Sequence, residues 1–265
     1  MKVRFCLTLF CTGLQALVFS ARAQNNQIKT HCAGEMRQVM HQNNTSAHVS
    51  LDSLLQKPNL IAIGPLEGLK GEITVINSVP YITRVKGVTA ETVHDSSAKA
   101  AFLVYATVAD WEEFVIPSFV KDMVTLEEFV RIKAKEQRYD FKEPIPFLIK
   151  GTIESALVHV VNKTDNQPHT PEEHDKIKIY FEPGSTEAEM AGFYSTKHKG
   201  IFTHHDSFIH VHLVTADKKL SGHVDRLKIV PGKAKLLLPK WPESQRKKEF
   251  KINTGTKKPY KPPVY

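Results

Sequence analysis

Phe208-Ile209-His210-Val211-His212-Leu213-Val214, followed after a short polar stretch by Leu220-Ser221-Gly222-His223-Val224-Asp225, is the most informative part of this chain. Side chains two apart on a strand share a face. His210 and His212 therefore point one way, and Ile209, Val211 and Leu213 the other. Thr215 to Lys219 reads as a hairpin turn around Asp217-Lys218, and a two-residue turn there sets His212 opposite His223 on the same face. A slip of one residue would turn His223 away. Three imidazoles on one face of one hairpin match a transition-metal site with three protein ligands and an open fourth position, as a catalytic Zn2+ needs. A His-x-His pair alone is a weak signal. Three separately solvated histidines are the plain alternative, and the third histidine in register is what favours a metal. His204, His205 and Asp206 read as a polar strand entry, with further ligands or groups supporting the ligands as the alternative. Asp225 shares the face of His223 and is placed to orient an imidazole.

Around this hairpin the chain is rich in strands. Apolar or alternating runs predict strands over 60–63, 71–77, 81–85, 100–107, 145–149 and 152–161, then over 176–181, 188–194, 207–214, 220–229 and 234–238. A short helix is expected over 50–56 with Ser50 as its cap, and a second from Thr125 to about Gln137, opened by a Thr125-x-x-Glu128 capping box. The polar, Pro-containing stretch 162–175 reads as a linker or long surface loop. The balance is α+β (mixed α/β) with two packed sheets. Five segments are expected: a signal peptide over 1–23, a polar lead-in over 24–49, an N-terminal mixed-sheet domain over 50–163, a C-terminal antiparallel-sheet domain with the histidine triad over 164–239, and a basic, Pro-rich tail over 240–265.

Composition excludes several classes. The 265 residues are 41% hydrophobic and 24% charged, ordinary values for a soluble domain with a real core. Of three Cys, Cys6 and Cys11 lie in the apolar N-terminal stretch, so Cys32 is left without an intramolecular partner and no Cys-rich metal site is available. The net charge of +8 sits at the ends: Lys2, Arg4 and Arg22 at one, and eight Lys or Arg against Glu243 and Glu249 from Lys240 onward. The body is nearly neutral, which argues against a nucleic-acid-binding domain. Lys2 and Arg4, the apolar run Phe5 to Phe19, and Ala21-Arg22-Ala23 form a secretory signal, with cleavage expected before Gln24. That run is shorter than the roughly twenty residues a membrane span needs. An exported protein with no membrane partner after cleavage is expected.

Several blocks resemble the α-acetolactate decarboxylase family. Leu54-Leu55 and then Ile61-Ala62-Ile63-Gly64-Pro65-Leu66-Glu67-Gly68-Leu69-Lys70-Gly71-Glu72-Ile73 resemble its Gly-Thr-Phe and Leu-Asp-Gly-Glu patterns. The helix from Thr125 is followed by Pro146-Phe147-Leu148-Ile149-Lys150-Gly151-Thr152, and the most specific block is His210-x-His212 with His223 in Gly222-His223-Val224-Asp225. The resemblance spans about residues 50 to 240. It implies two β-rich domains with Zn2+, or another divalent transition metal, between them. It also implies His210, His212 and His223 as ligands and Glu72 reaching the site. Pro65 stands where the family has Thr, and Leu148 where it has an Arg expected to bind substrate; Lys150, on the same strand face, is the expected replacement cation. Glu243 is only a weak match to the family's C-terminal glutamate. The implied reaction is decarboxylation of (S)-2-acetolactate to acetoin and CO2, with Glu72 and Lys150 as catalytic residues. A different hydroxy-keto acid on the same zinc site, and an exported metal-binding protein without catalysis, are the alternatives. A small-molecule hydroxy-keto acid is the expected partner, with a homodimer left open.

Overall fold

The computed structural model describes residues 28–164, 169–203 and 207–241. The signal peptide, most of the basic tail with Glu243, and His204-His205-Asp206 lie outside the described residues. The strands in chain order are β1 (His31–Ala33), β2 (Val49–Ser50), β3 (Leu60–Pro65), β4 (Glu72–Ile76), β5 (Val79–Lys86), β6 (Thr89–Val93), β7 (Lys99–Ala100), β8 (Leu103–Thr107), β9 (Trp111–Val115), β10 (Ile145–Val161), β11 (Lys178–Phe181), β12 (Thr186–Tyr194), β13 (Ile209–Thr215) and β14 (Ser221–Pro239). Three α-helices accompany them, α1 (Met36–Gln42), α2 (Met123–Glu136) and α3 (Pro171–His174). None of the described helices is long and apolar enough to cross a membrane.

Two six-stranded antiparallel sheets result. The first runs β1-β8-β3-β4-β5-β6, the second β11-β10-β12-β13-β14-β9, and β14 also pairs with β10. The ladders β10–β12, β12–β13, β13–β14 and β14–β10 therefore close the second sheet on itself. Closure removes exposed edges and encloses a core.

Strand alternation sorts the apolar residues into three layers. On β3, Leu60 and Ala62 join the outer layer of the first sheet with Ile73, Val75 and Ile82, while Ile61 and Ile63 face the second sheet. That middle layer also holds Phe102, Ala191, Phe193 and Val214. Inside the second sheet, Val211, Leu213, Val224 and Ile149 pack with Leu126, Phe129 and Val130 of α2. Each fully buried Leu, Ile or Val here stabilises by about 1.5–3 kcal/mol relative to exposure.

The structure departs from the sequence reading at definite places. The polar lead-in carries regular structure among its described residues: β1 pairs with β8, and α1 buries Val39. The helix expected over 50–56 is only a 3-10 turn at Leu51–Ser53. The segment 100–107 is split between β7 and β8, and β6 and β9 were not anticipated. Helix α2 begins at Met123, not Thr125. Asp122 is its cap, accepting from the Thr125 backbone N–H at 2.8 Å, while Thr125 Oγ1 accepts from the Asp122 backbone N–H at 3.1 Å. Glu128 instead binds Arg131 one turn on.

The sheets divide between β8 and β9, not at the expected domain boundary of 163/164. Stretch 162–175 is no inter-domain linker, since it joins β10 to its antiparallel neighbour β11. The segments on either side of Gly151 are one strand, because Gly151 at φ +148 bends β10 without ending it. A Cβ there would stand 2.2 Å from the Lys233 carbonyl oxygen, so glycine is what lets β14 cross this closely.

Candidate metal centre

The three hairpin histidines reach the middle layer by simple alternation. Ile209, Val211 and Leu213 fill the inside of the second sheet. His210 and His212 thus face the first sheet. The hairpin closes with Thr215 N–H donating to the Leu220 carbonyl at 3.0 Å, and the register pairs His212 with His223. His210, His212 and His223 are all buried, and each offers a ring nitrogen within 4.8 Å of the others.

The geometry fits a metal ion. His210 Nε2 and His212 Nε2 are 3.2 Å apart. Two ligands about 2.0–2.1 Å from a tetrahedral Zn2+ stand about 3.3–3.4 Å apart. His212 Nδ1 lies 3.1 Å from Thr74 Oγ1, which accepts at 2.7 Å from the Ser221 hydroxyl. An Nδ1–H held by Thr74 leaves the Nε2 lone pair turned to the other histidines, the outer support a ligating imidazole needs. Burial pushes His212 down to about 3, His159 adds a smaller push the same way, and a hydrogen bond to the Ile73 backbone opposes them. A neutral ring is the ligating form.

Glu72 comes from the other sheet. On β4, Ile73 and Val75 enter the outer layer, so Glu72 and Thr74 face the histidines. Glu72 Oε2 is 3.7 Å from His212 Nε2, and Oε1 accepts from the Val161 backbone N–H at 3.4 Å. Burial pushes this carboxyl up to about 8, against a smaller opposite effect of the Val161 bond. It retains its proton at neutral pH where no cation offsets the burial. Pro65, paired with Glu72 across β3–β4, lines the same pocket.

Lys150 is not brought to these groups. It lies half-exposed, 3.8 Å from Glu189, and lines a different depression with Asn59, Trp111 and Leu148. Along β10 it precedes His159 by nine residues, up to about 30 Å at the rise of an extended strand. The expectation that it supplies a cation beside the histidines is therefore not met by its position.

The sequence reading missed His159. It sits on β10 directly opposite His223, with ring centroids 4.6 Å apart. Its Nδ1 is 2.5 Å from Asp225 Oδ2, so Asp225 orients His159. Gly222 permits this approach, as a Cβ there would stand 2.7 Å from the His159 carbonyl oxygen. The signal was faint: a histidine in an apolar strand, without the β10–β14 pairing that gives it meaning.

The enclosed space is small, about 30 Å³, and α1 covers it with Met36, Val39 and Met40. That is room for about one or two water-sized groups.

The two buried groups set opposite pH trends for the metal-free protein. The unfolded chain takes up a proton at His212 below 6.5 that the folded chain resists until about 3, so stability falls as pH drops through that window. The folded chain keeps the Glu72 proton up to about 8, while the unfolded chain releases it near 4.5, so stability also falls as pH rises between those values. The trends oppose each other between 4.5 and 6.5, leaving a fall from pH 6.5 to 8 that belongs to Glu72. Thermal melts of chelator-treated protein should show Tm dropping over that range, and Glu72→Gln should remove the drop. A wild-type Tm that stays level would mean the carboxyl is not held protonated.

The alpha-acetolactate decarboxylase family model matches residues 33–242 of the chain. No curated protein sequence matches it. Among solved structures, alpha-acetolactate decarboxylase from Bacillus subtilis strain 168 aligns with a TM-score of 0.64 at 15% identity, over 80% of this chain and 86% of that one. Acetolactate decarboxylase from Bacillus subtilis subspecies spizizenii gives 0.65 at 14% identity, over 80% and 85%. A Staphylococcus aureus protein of unknown function, described as similar to alpha-acetolactate decarboxylase, gives 0.62 at 12% identity, over 80% and 84%. At these identities the structural likeness establishes the fold alone.

Proposed function

This chain belongs to the alpha-acetolactate decarboxylase family, and on that premise we propose that it is a metal-dependent decarboxylase converting (S)-2-acetolactate to acetoin and CO2. The observation that carries the reading is Glu72, a buried carboxyl beside a cluster of three buried histidines that fits a metal. His210, His212 and His223 would hold Zn2+ or another divalent transition metal. Bound there, the metal supplies Lewis acidity toward the keto and hydroxyl oxygens of the substrate.

The protein's own groups do the rest. When the carboxylate carbon leaves as CO2, the electron pair of the broken C–C bond moves into the neighbouring C=O. The carbon that lost CO2 must then gain a proton. Glu72, on the first-sheet side of the pocket beside His212, is placed to relay that proton to one face of that carbon. Its carboxylate is recharged from water, so each turnover consumes one proton. The apolar cover from Met36, Val39 and Phe102 keeps bulk water from protonating the carbon on the other face.

A second reading keeps the fold and metal but changes the acid. It is favoured by Pro65 in the pocket and by the position of Lys150 away from it, which leave the site without a lysine or arginine among its described lining residues. Export of the chain from Gln24 is part of the proposal and rests on the N-terminal pattern alone.

The test is acetoin release from racemic acetolactate by protein from residue 24 onward, loaded with Zn2+ and then treated with chelator. Acetoin that appears with metal and disappears without it is expected. No acetoin from protein holding one zinc per chain would overturn acetolactate as substrate and move the question to other hydroxy-keto acids.

A further inference from the structure

His159 and His174 are polar groups of the pocket that the proposed reaction does not yet use, and of the two His159 stands against the histidine cluster. It lines the same space as Glu72, His210 and His223. Among the described residues it groups with His223 and Asp225 as a cation-holding set, but not with His210 and His212, so it is not a fourth member of the triad. Two residues further along the same face of β10, the Val161 backbone N–H holds Glu72. His159 and Glu72 thus stand side by side along one wall.

Asp225 decides what His159 presents. A carboxylate only accepts, so the His159 nitrogen 2.5 Å away, Nδ1, must donate to it. The remaining nitrogen, Nε2, makes no hydrogen bond to a described residue, and in the neutral ring it is an acceptor. The His223 ring, its centroid 4.6 Å away and tilted by 33°, packs against that ring. An acceptor fixed in this way suits a hydroxyl and not a carboxylate.

We propose that His159 Nε2, with its tautomer set by Asp225, accepts a hydrogen bond from the hydroxyl on the substrate carbon that loses CO2, and so selects α-hydroxy-β-keto acids over β-keto acids lacking the hydroxyl. The inference rests on the decarboxylase reading. Its physical basis is that an acceptor opening on the pocket becomes costly when a bound substrate covers it without offering a donor, so a site built to bind a hydroxyl rejects an analogue without one by large factors. Asp225 is a positioning residue that acts through His159.

The experiment compares acetolactate with 2-methyl-3-oxobutanoate, which has the same carbons without the hydroxyl, using zinc-loaded protein and subtracting spontaneous decarboxylation. Wild type is expected to prefer acetolactate in kcat/KM by about 10²-fold or more. Asp225→Asn can donate to Nδ1 and so turn Nε2 into a donor, with the ring left in place. His159→Phe removes the acceptor and keeps a ring against His223. Both should cut the preference by about tenfold or more at unchanged zinc content, whereas a merely structural role would slow both acids alike. Wild type that treats the two acids equally, or variants that keep the wild-type preference, would overturn the inference alone. Wild type that decarboxylates neither acid would overturn it together with the decarboxylase reading.

Discussion

His212→Ala is expected to cost the protein its metal and to lower acetolactate decarboxylation by about 10³-fold or more, since the Lewis acid that stabilises the departing electron pair goes with it. His212 is tied to both sheets. Its Nε2 lies 3.2 Å from that of His210, and its Nδ1 is held by Thr74 on β4. Alanine removes one of three ligands and leaves Thr74 and Ser221 facing a gap in the middle layer. Metal content per chain by elemental analysis, read beside acetoin formation, checks the prediction. The reference for folding is wild type stripped of metal, which the variant should match in far-ultraviolet circular dichroism. A variant that retains one metal per chain and the wild-type rate would remove His212 from the ligand set.

Glu72→Gln should act differently: metal retained, kcat lowered by about 10²–10⁴-fold, the usual range for losing a positioned general acid. Glutamine keeps the shape and can still accept from the Val161 N–H, but it carries no acidic proton. The stereochemistry of the product is the sharper readout. With Glu72 the proton comes from the first-sheet side only, so one acetoin enantiomer should dominate. In the variant, residual turnover releases the enediol unprotonated, solvent then protonates it from either face, and chiral chromatography should show the enantiomers approaching equal amounts. A variant that still makes one enantiomer at near wild-type rate would rule out Glu72 as the donor.

These two residues differ in how plainly the sequence pointed to them. His212 was legible because everything that places it is local: strand alternation over seven residues and one turn fix its face and its partner His223. Glu72 emerged only through resemblance, as periodicity gives no reason to single out one glutamate at a strand start. What gives it meaning is burial opposite a strand 89 residues away, where the Val161 N–H meets it. Lys150 shows the opposite error. It shares a strand face with Leu148 as expected, yet that end of β10 is paired with Glu189 across β12 and looks out toward solvent. A face is a local property. What that face meets is not.

The same division runs through the fold. The amino-acid sequence by itself determined that the chain is rich in strands, that α2 forms near residue 125, and that three histidines share one face of one hairpin. All of these follow from side-chain spacing and turn chemistry within a few residues. Only the tertiary structure decided that 145–161 is one strand of the second sheet, that β14 lies back across it, and that His159 meets His223 and Asp225 there. Those outcomes depend on contacts between segments far apart in the chain, such as His159 with Asp225 at 66 residues, just as Thr74 meets His212 at 138. Such pairings are chosen by which buried surfaces fit together across the middle layer, and no short-range pattern of residues encodes that choice.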